Sequence, residues 1–436
     1  MKIAIIGSGI SGNTAAYHLS QDHDVTLYEA GDHIGGHTHT HDIEWKGTTY
    51  AIDTGFIVCN DRTYPNFLNL LDELNVEKQA TEMSFSVMNQ DTGLEYNGHS
   101  LDTLFAQRSN IVNPVFHRML WDIIRFNRQS RLLLESGDDD ISLGEYLHAN
   151  RYHREFIENY IVPMGAAIWS TDPASMYDFP AKFFIRFFEN HGLLNIKNRP
   201  QWYVIKGGSR EYVKAMSQRY SNKVKLNAPV DSVKRTPVGV IVKARGQADA
   251  KFDAVFFACH SDQALKILGK DATLLERETL SAIQYQANEA VLHTDEKLLP
   301  GNRKAWASWN YNVSASGQQG AAVTYHMNTL QSLQAEDQFC VTLNATDKIN
   351  PSKIIKKMVY HHPMFTLDAI QAQKNIKAIN QGATYFCGAY WHNGFHEDGV
   401  VSALNAVNAF NFHHNGLDKN GQKDSSDAKQ YLQRAS

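Results

Sequence analysis

The chain has 436 residues, 43% of them hydrophobic and 20% charged, ordinary globular usage that excludes disordered, collagen-like and coiled-coil classes and allows two or three domains. Its net charge of -4 carries no basic footprint for nucleic acid, and its four widely spaced cysteines (Cys59, Cys259, Cys340, Cys387) outline neither a zinc framework nor a disulfide scaffold. No apolar run reaches the ~18–20 residues that span a bilayer, and the first residues lack the basic and apolar regions of a signal peptide, so the expectation is a soluble, cytoplasmic chain.

Residues Lys2 to Ile6 form a short continuous apolar run, as expected of a parallel strand buried on both faces. Gly7-Ser8-Gly9-Ile10-Ser11-Gly12 follows, Asn13 to Ser20 reads as a helix, and a second strand, Val25 to Tyr28, ends on Glu29. Strand, GxGxxG turn, helix, and an acid 17 residues after the last glycine form the dinucleotide-binding fingerprint. Gly7 permits the tight turn, Gly9 lets backbone approach a pyrophosphate, and Gly12 lets helix and strand pack closely. The helix N-terminus offers free N–H groups and a positive dipole end, and Ser11, in the turn before it, is a further candidate cofactor contact. Glu29 can accept from a ribose and would repel a 2′-phosphate.

The next stretch, Glu29-Ala30-Gly31-Asp32-His33-Ile34-Gly35-Gly36-His37-Thr38, resembles the second signature of the flavin amine oxidase and phytoene desaturase superfamily. There the Gly-Gly pair lets backbone N–H groups press against the flavin's phosphate and ribityl chain. His33 and His37 stand where that superfamily carries arginine; histidine can donate to phosphate, but its charge varies with pH. Asp53-Thr54-Gly55-Phe56 resembles the superfamily's Asp-x-Gly segment near the flavin. His37, His39 and His41 alternate and would share one face of an extended segment, but no carboxylate or cysteine completes a recognised ligand spacing, so no metal is expected.

A helix is expected over Thr63 to Leu74, followed by a largely helical, aromatic-rich stretch from about 80 to 200. Its cluster Phe183, Phe184, Phe187, Phe188 reads as core or as a wall for an apolar substrate, and Asp138-Asp139-Asp140 as a solvated loop before an N-cap at Ser142. A strand (Tyr203 to Lys206), the turn Gly207-Gly208 and a helix (Arg210 to Tyr220) return to α/β patterning, with strands at Val224 to Leu226, Val230 to Val233 and Ala254 to Ala258. This order resembles the superfamily's second nucleotide segment, which implies that backbone around Val230 faces the adenine. Strands at Glu289 to His293, Ala321 to Met327 and Phe339 to Leu343 suggest an antiparallel sheet.

Near the end, Thr384 to Ala389 reads as a strand leading to Gly388, then Tyr390-Trp391, then His396-Glu397-Asp398-Gly399 and a helix beginning near Val400. The unit resembles the superfamily's third flavin segment, implying contacts from Gly388, Ala389, Glu397, Asp398, Gly399 and Val400, with a helix dipole stabilising the reduced flavin. Ala389 stands where amine oxidases carry glutamate, and Cys387 lies in the strand, so the flavin is expected to be non-covalent.

The resemblance implies an α/β chain: a Rossmann-type FAD-binding domain of the glutathione reductase-like, amine oxidase type (1–75, 203–285, 375–415), a discontinuous mixed α+β substrate domain (76–202, 286–374), and a polar, disordered tail (416–436). Gly-Gly-His-Thr, Ala305 to Tyr311 and Gly394 to Gly399 resemble a bacterial subgroup linked to cyclopropane fatty acid synthases. That implies an FAD-dependent oxidoreductase that oxidises or desaturates a methyl-branched or unsaturated fatty acyl chain, with peripheral contact at the inner membrane face. The alternatives are a flavin amine oxidase releasing hydrogen peroxide and a redox-neutral flavin-dependent isomerase. Tyr390 and Trp391 are the candidates for the substrate side of the flavin; Lys297 and Lys304 are the lysines nearest in order to one that would hold a water there.

Overall fold

The computed structural model describes residues 1–137, 140–313 and 322–415. Asp138 and Asp139 of the expected acidic loop, Ala321 of an expected strand, and the expected tail from 416 lie outside the described residues. Two compact units result: Met1–Gly36, Met216–Ser281 and the residues from Ala372; and His37–Ala215 with Ala282–Gln371.

The first unit is built on a five-stranded parallel sheet in the order Val224–Lys225, Asp24–Tyr28, Lys2–Ile6, Ala254–Phe257, Thr384–Phe386. Ile3 to Ile6 and Ala254 to Phe257 are buried throughout, which is why both runs are apolar without alternation. Phe256 stacks on Tyr385 and Phe257 on Phe386 across adjacent strands, each fully buried ring contributing ~1.5–3 kcal/mol of transfer free energy. A smaller antiparallel sheet (Val230–Thr236, Gly239–Ala244, Ala250–Phe252) belongs to the same unit.

The second unit carries a seven-stranded sheet in the order Ile354–Pro363, Tyr285–His293, Cys340–Leu343, Val323–His326, Trp309–Val313, Phe85–Asn89, Leu94–Asn97. Its pairs are antiparallel except Trp309–Val313 with Phe85–Asn89. The stretch expected to be helical from about 80 therefore opens with a hairpin. Its turn is set by Asn89, whose side chain accepts from the Asp91 and Thr92 N–H groups, and by Gly93 at φ +70°. Helices follow, among them Pro114–Gln129, Arg131–Glu135 and Ala181–Asn190, and Ser142 caps Leu143–Ala149 through a box with Glu145.

Residues 37–75 and 203–215 sit in this second unit, whereas the sequence places them with the nucleotide segments. Pairing over long sequence distance holds them there. Cys59–Asn60 and Lys78–Thr81 flank Trp202–Ile205 in a three-stranded sheet, and the hairpin Thr40–Trp45/Thr48–Asp53 bonds to Ser209.

Candidate active site

The glycines of the first unit divide by what surrounds them. Gly7, at φ +101°, has no room for a side chain: a Cβ there would lie 2.7 Å from the Ala258 carbonyl oxygen. A Cβ on Gly12 would lie 1.9 Å from the Gly7 carbonyl oxygen. Gly9 meets nothing within 4 Å, so its missing side chain leaves open space. Gly9 is also the N-cap of the helix Ile10–Leu19, which has no side-chain cap and no acid in its first turn. Open space beside uncapped N–H groups fits an anionic pyrophosphate.

The second glycine pair closes on the first. Gly36, at φ +60°, places its would-be Cβ 3.0 Å from Gly9 Cα, and Gly35 N–H donates to the Ser8 carbonyl at 3.0 Å. Glu29 accepts from Ser8 N–H at 2.9 Å, from the Ser8 hydroxyl, and from Gly31 N–H at 2.7 Å. A carboxylate has about four acceptor sites, so a ribose hydroxyl can still be taken. Ala228 N–H donates to the Glu29 carbonyl, which ties the segment entering Val230 to the same corner, while Ala30 is exposed there. The residues present fit a dinucleotide. Sequence reasoning missed Ser8 and Asn13: Asn13 donates to the Ser8 carbonyl and accepts from Tyr220 Oη at 2.8 Å, so a residue of the turn and one just beyond it carry its hydrogen bonds.

The terminal segment differs from expectation. The helix begins at His396, not near Val400, because the Asp398 carboxylate accepts from Phe395 N–H at 2.8 Å. Glu397 and Asp398 therefore lie inside the first turn, where burial pushes Asp398 up to about 7. Gly399 is a close-approach point between helices: its would-be Cβ lies 2.6 Å from Ile10 Cγ2, and Ser11 Oγ donates to the Gly399 carbonyl at 2.9 Å. Ser11 is thus engaged with this helix, and Val400 is buried beside it. Gly388 makes room for the Tyr390 ring, which a Cβ would approach to 2.2 Å, and Ala389 opens the turn Ala389–Trp391. Tyr390 and Trp391 are buried with ring centroids 5.0 Å apart, and the Gln373 amide fixes their turn by donating to the Tyr390 and His392 carbonyls. Cys387 is fully buried, and burial pushes its thiol well above the ordinary range.

In the second unit His37, Thr38, Gly55 and Phe56 do come together. Phe56 N–H donates to the His37 carbonyl at 2.8 Å, and a Cβ on Gly55 would sit 2.1 Å from that oxygen. Thr38 shares a hydrogen bond with Tyr212. The His37 ring lies 5.2 Å from Tyr360 and 5.3 Å from His362, whose imidazole burial holds down to about 3. The His39 and His41 rings lie 4.0 Å apart, tilted by 52°, Tyr360 Oη bonds His39 Nδ1, and Lys356 Nζ donates to His41 Nδ1 at 3.1 Å. No group of three or more metal-ligating side chains is present among the described residues. His33 instead reaches Asp32 at 3.0 Å.

Asp53 is a hub that sequence reasoning placed near the flavin without seeing its partners. Fully buried, it accepts from Ser209 N–H at 3.0 Å, Ser209 Oγ at 2.7 Å, Thr40 Oγ1 and Gln331 Nε2 at 3.2 Å, so it caps the helix Arg210–Ser217. Burial pushes its carboxyl up to about 6. Lys297 and Lys304 are exposed, and Lys304 pairs with Asp102. Phe184, Phe187 and Phe188 are core: Phe184 stacks on Phe188 at 4.2 Å and Phe187 lies 4.8 Å from Trp169. Phe183 is half-buried and stacks on Phe365.

The family model described as flavin containing amine oxidoreductase matches residues 10–325. A putative flavin-containing monoamine oxidase of Mycobacterium tuberculosis is 27% identical over 267 residues, 58% of this chain and 56% of that protein, so the match spans little more than half of that relative. A coproporphyrinogen III oxidase of Staphylococcus aureus is 23% identical over 334 residues, 68% of each chain. Among solved structures, a putrescine oxidase bound to putrescine has a TM-score of 0.67 at 15% identity, covering 94% of this chain and 99% of that one. A fatty acid isomerase from P. acnes has 0.66 at 16%, covering 94% and 98%. At such identity the likeness establishes a shared fold alone.

Proposed function

The chain belongs to the flavin containing amine oxidoreductase family, flavin-dependent oxidoreductases, and its cofactor is FAD; from that premise we propose that it oxidises or desaturates a methyl-branched or unsaturated fatty acyl chain. One observation carries the reading. The side chains gathered after the Gly35-Gly36 turn are the imidazoles of His37, His39, His41 and His362, with Lys356 among them. Such a cluster suits a neutral or anionic ligand. An ammonium ion gains nothing from Asp53, whose carboxylate is taken up by Ser209, Thr40 and Gln331. Each methylene removed from water adds ~0.8 kcal/mol, so an alkyl chain needs no charged partner to bind.

FAD, when bound, supplies the two-electron acceptor. The chain's own part is to hold and shield it. The uncapped first turn beside Gly9 takes the pyrophosphate, Glu29 a ribose hydroxyl, and the buried Tyr390–Trp391 turn keeps water from the segment that follows Gly388. Because acyl chains reside in bilayers, the reading includes peripheral contact with a membrane; among the described residues no helix is long and apolar enough to cross one.

The test is anaerobic titration of the holoprotein. Branched or unsaturated acyl lipids are expected to bleach the flavin with steep dependence on chain length, and mono- and polyamines to leave it yellow. Turnover of an amine with peroxide release, and no bleaching by any acyl lipid, would instead select the amine oxidase reading, which the 27% identity to a putative monoamine oxidase favours. An isomerised lipid formed with no net bleaching would select redox-neutral isomerisation.

A further inference from the structure

We propose that the outward face of the helix Pro114–Gln129, with the turns on either side of it, is a docking surface for a bilayer containing anionic lipid. The proposal deepens the membrane contact included in the reading above by naming the surface and the lipid charge, but it stands on this face alone and does not need the oxidation of acyl chains.

The helix already has a buried stripe, Phe116, Met119, Asp122 and Phe126 at spacings of three and four. Opposite it runs a second stripe, Arg118, Trp121, Arg125 and Arg128, again at spacings of three and four. Ser130 keeps helical dihedrals (φ -60°, ψ -30°) between this helix and Arg131–Glu135, so the phase carries on to Leu132. Trp121 is 60% exposed, Leu132 67%, and Val112, in the turn before the helix, 82%; Ile111, Val115 and Ile124 are exposed as well. A helix that has buried one apolar stripe gains nothing in water from exposing a tryptophan on its other face, and a tryptophan among exposed aliphatic side chains marks a surface that is covered in use.

Charge identifies what covers it. Between Asp102 and Glu135 the sequence holds Arg108, Arg118, Arg125, Arg128 and Arg131, and a single acid, Asp122. Asp122 is fully buried and turned inward, accepting from His153 N–H at 2.8 Å and pairing with Arg125 at 3.0 Å. Arg108 pairs with Asp102 and Arg131 with Glu189, and the Arg125 head is fixed over the Tyr152 ring. Arg118, whose half-exposed head pairs with Asp122 at 3.6 Å, and Arg128 are the exposed cations beside Trp121. In a chain of net charge -4, a face of tryptophan, aliphatic side chains and arginine, with exposed acids only at its ends (Asp102, paired with Arg108, and Glu135), is the composition of an interfacial helix. It lies at the headgroup level with its apolar side chains in the acyl boundary and its arginines on lipid phosphates. A protein partner would instead require polar complements for which this face offers few side-chain amides or hydroxyls.

The experiment is co-sedimentation of the FAD-loaded full chain with vesicles of phosphatidylcholine alone or mixed with phosphatidylglycerol. Binding is expected on the mixed vesicles, to fall steeply as salt is raised, and to be weak on the neutral ones. Arg128→Glu changes two charges at ~1 kcal/mol each and should lower partition about thirtyfold; Trp121→Ala should lower it about tenfold. Both positions are solvent-facing, so thermal melting and the flavin spectrum should not move. Lys270→Glu, an exposed cation of the other unit, should leave binding as it was. Absence of binding to mixed vesicles, or unchanged binding by both variants, overturns the proposal. So does self-association in sedimentation that Trp121→Ala abolishes without any vesicle binding, which would give the face to a second copy of the chain. Failure of acyl lipids to bleach the flavin while vesicle binding persists would overturn the substrate reading and leave this one standing.

Discussion

Gly9→Ala is expected to give a folded protein that binds its cofactor ten- to a hundredfold more weakly, and Gly12→Ala, three residues on, a protein that does not fold correctly. The two glycines belong to one motif and differ in what a methyl group would meet. At Gly12 the added Cβ would stand 1.9 Å from the Gly7 carbonyl oxygen, a backbone atom that can yield only by opening the turn. The cost is ~3 kcal/mol or more, and it falls on the strand–turn–helix unit at the centre of the parallel sheet. At Gly9 the Cβ would meet nothing within 4 Å, and the backbone (φ -63°, ψ -178°) is one any residue adopts. The methyl group then occupies only the space left for the pyrophosphate, and FAD affinity should fall ten- to a hundredfold, ~1.4–2.8 kcal/mol. Thermal melting of the apoprotein and FAD titration by fluorescence separate the two effects. Equal melting of both variants, or full FAD retention by Gly9→Ala, would refute this division of roles.

Asp53→Ala is expected to be among the most destabilising single changes in the chain, by ~3–5 kcal/mol, because it leaves the buried Ser209 N–H and hydroxyl and the part-buried Thr40 and Gln331 without their acceptor. Asp53→Asn keeps an acceptor oxygen in place and should cost far less. It should also alter the pH dependence. Burial raises the folded-state pKa from 3.8 to about 6, so between those values the folded protein binds a proton that the unfolded chain does not. Stability from this group therefore rises as pH falls from about 6 toward about 4 and is lost as pH rises through 6. Denaturant unfolding across that range should show the wild-type slope flattened in Asp53→Asn. Parallel profiles would mean that Asp53 does not titrate there.

What the sequence reveals in the nucleotide corner is local. Gly7, Gly9, Gly12 and Glu29 announce themselves through strand, turn and helix within thirty residues, and the geometry follows from backbone sterics. Gly388 and Gly399 are glycines for a different reason: one makes room for the Tyr390 ring and the other for Ile10, contacts that no spacing in the chain displays. Asp53 is the same kind of case, since Ser209 lies 156 positions away. The strand Ile354–Pro363 escapes notice because it alternates exposed Lys357, Val359 and His361 with buried Met358 and Tyr360, and its charged half reads as loop. The helix Pro114–Gln129 is legible as helical, but its buried stripe and the outward stripe around Trp121 separate only when burial shows which one faces inward.

The most direct measurement of the central claim is the visible spectrum of the purified protein before and after acid or heat denaturation, with mass analysis of what is released. The account predicts a yellow protein that gives up intact FAD into the supernatant, because the cofactor is held by the Gly9 turn and Glu29 and the buried Cys387 forms no bond to it. A colourless protein that takes up a nicotinamide dinucleotide, or a flavin that stays with the precipitated chain, would contradict it.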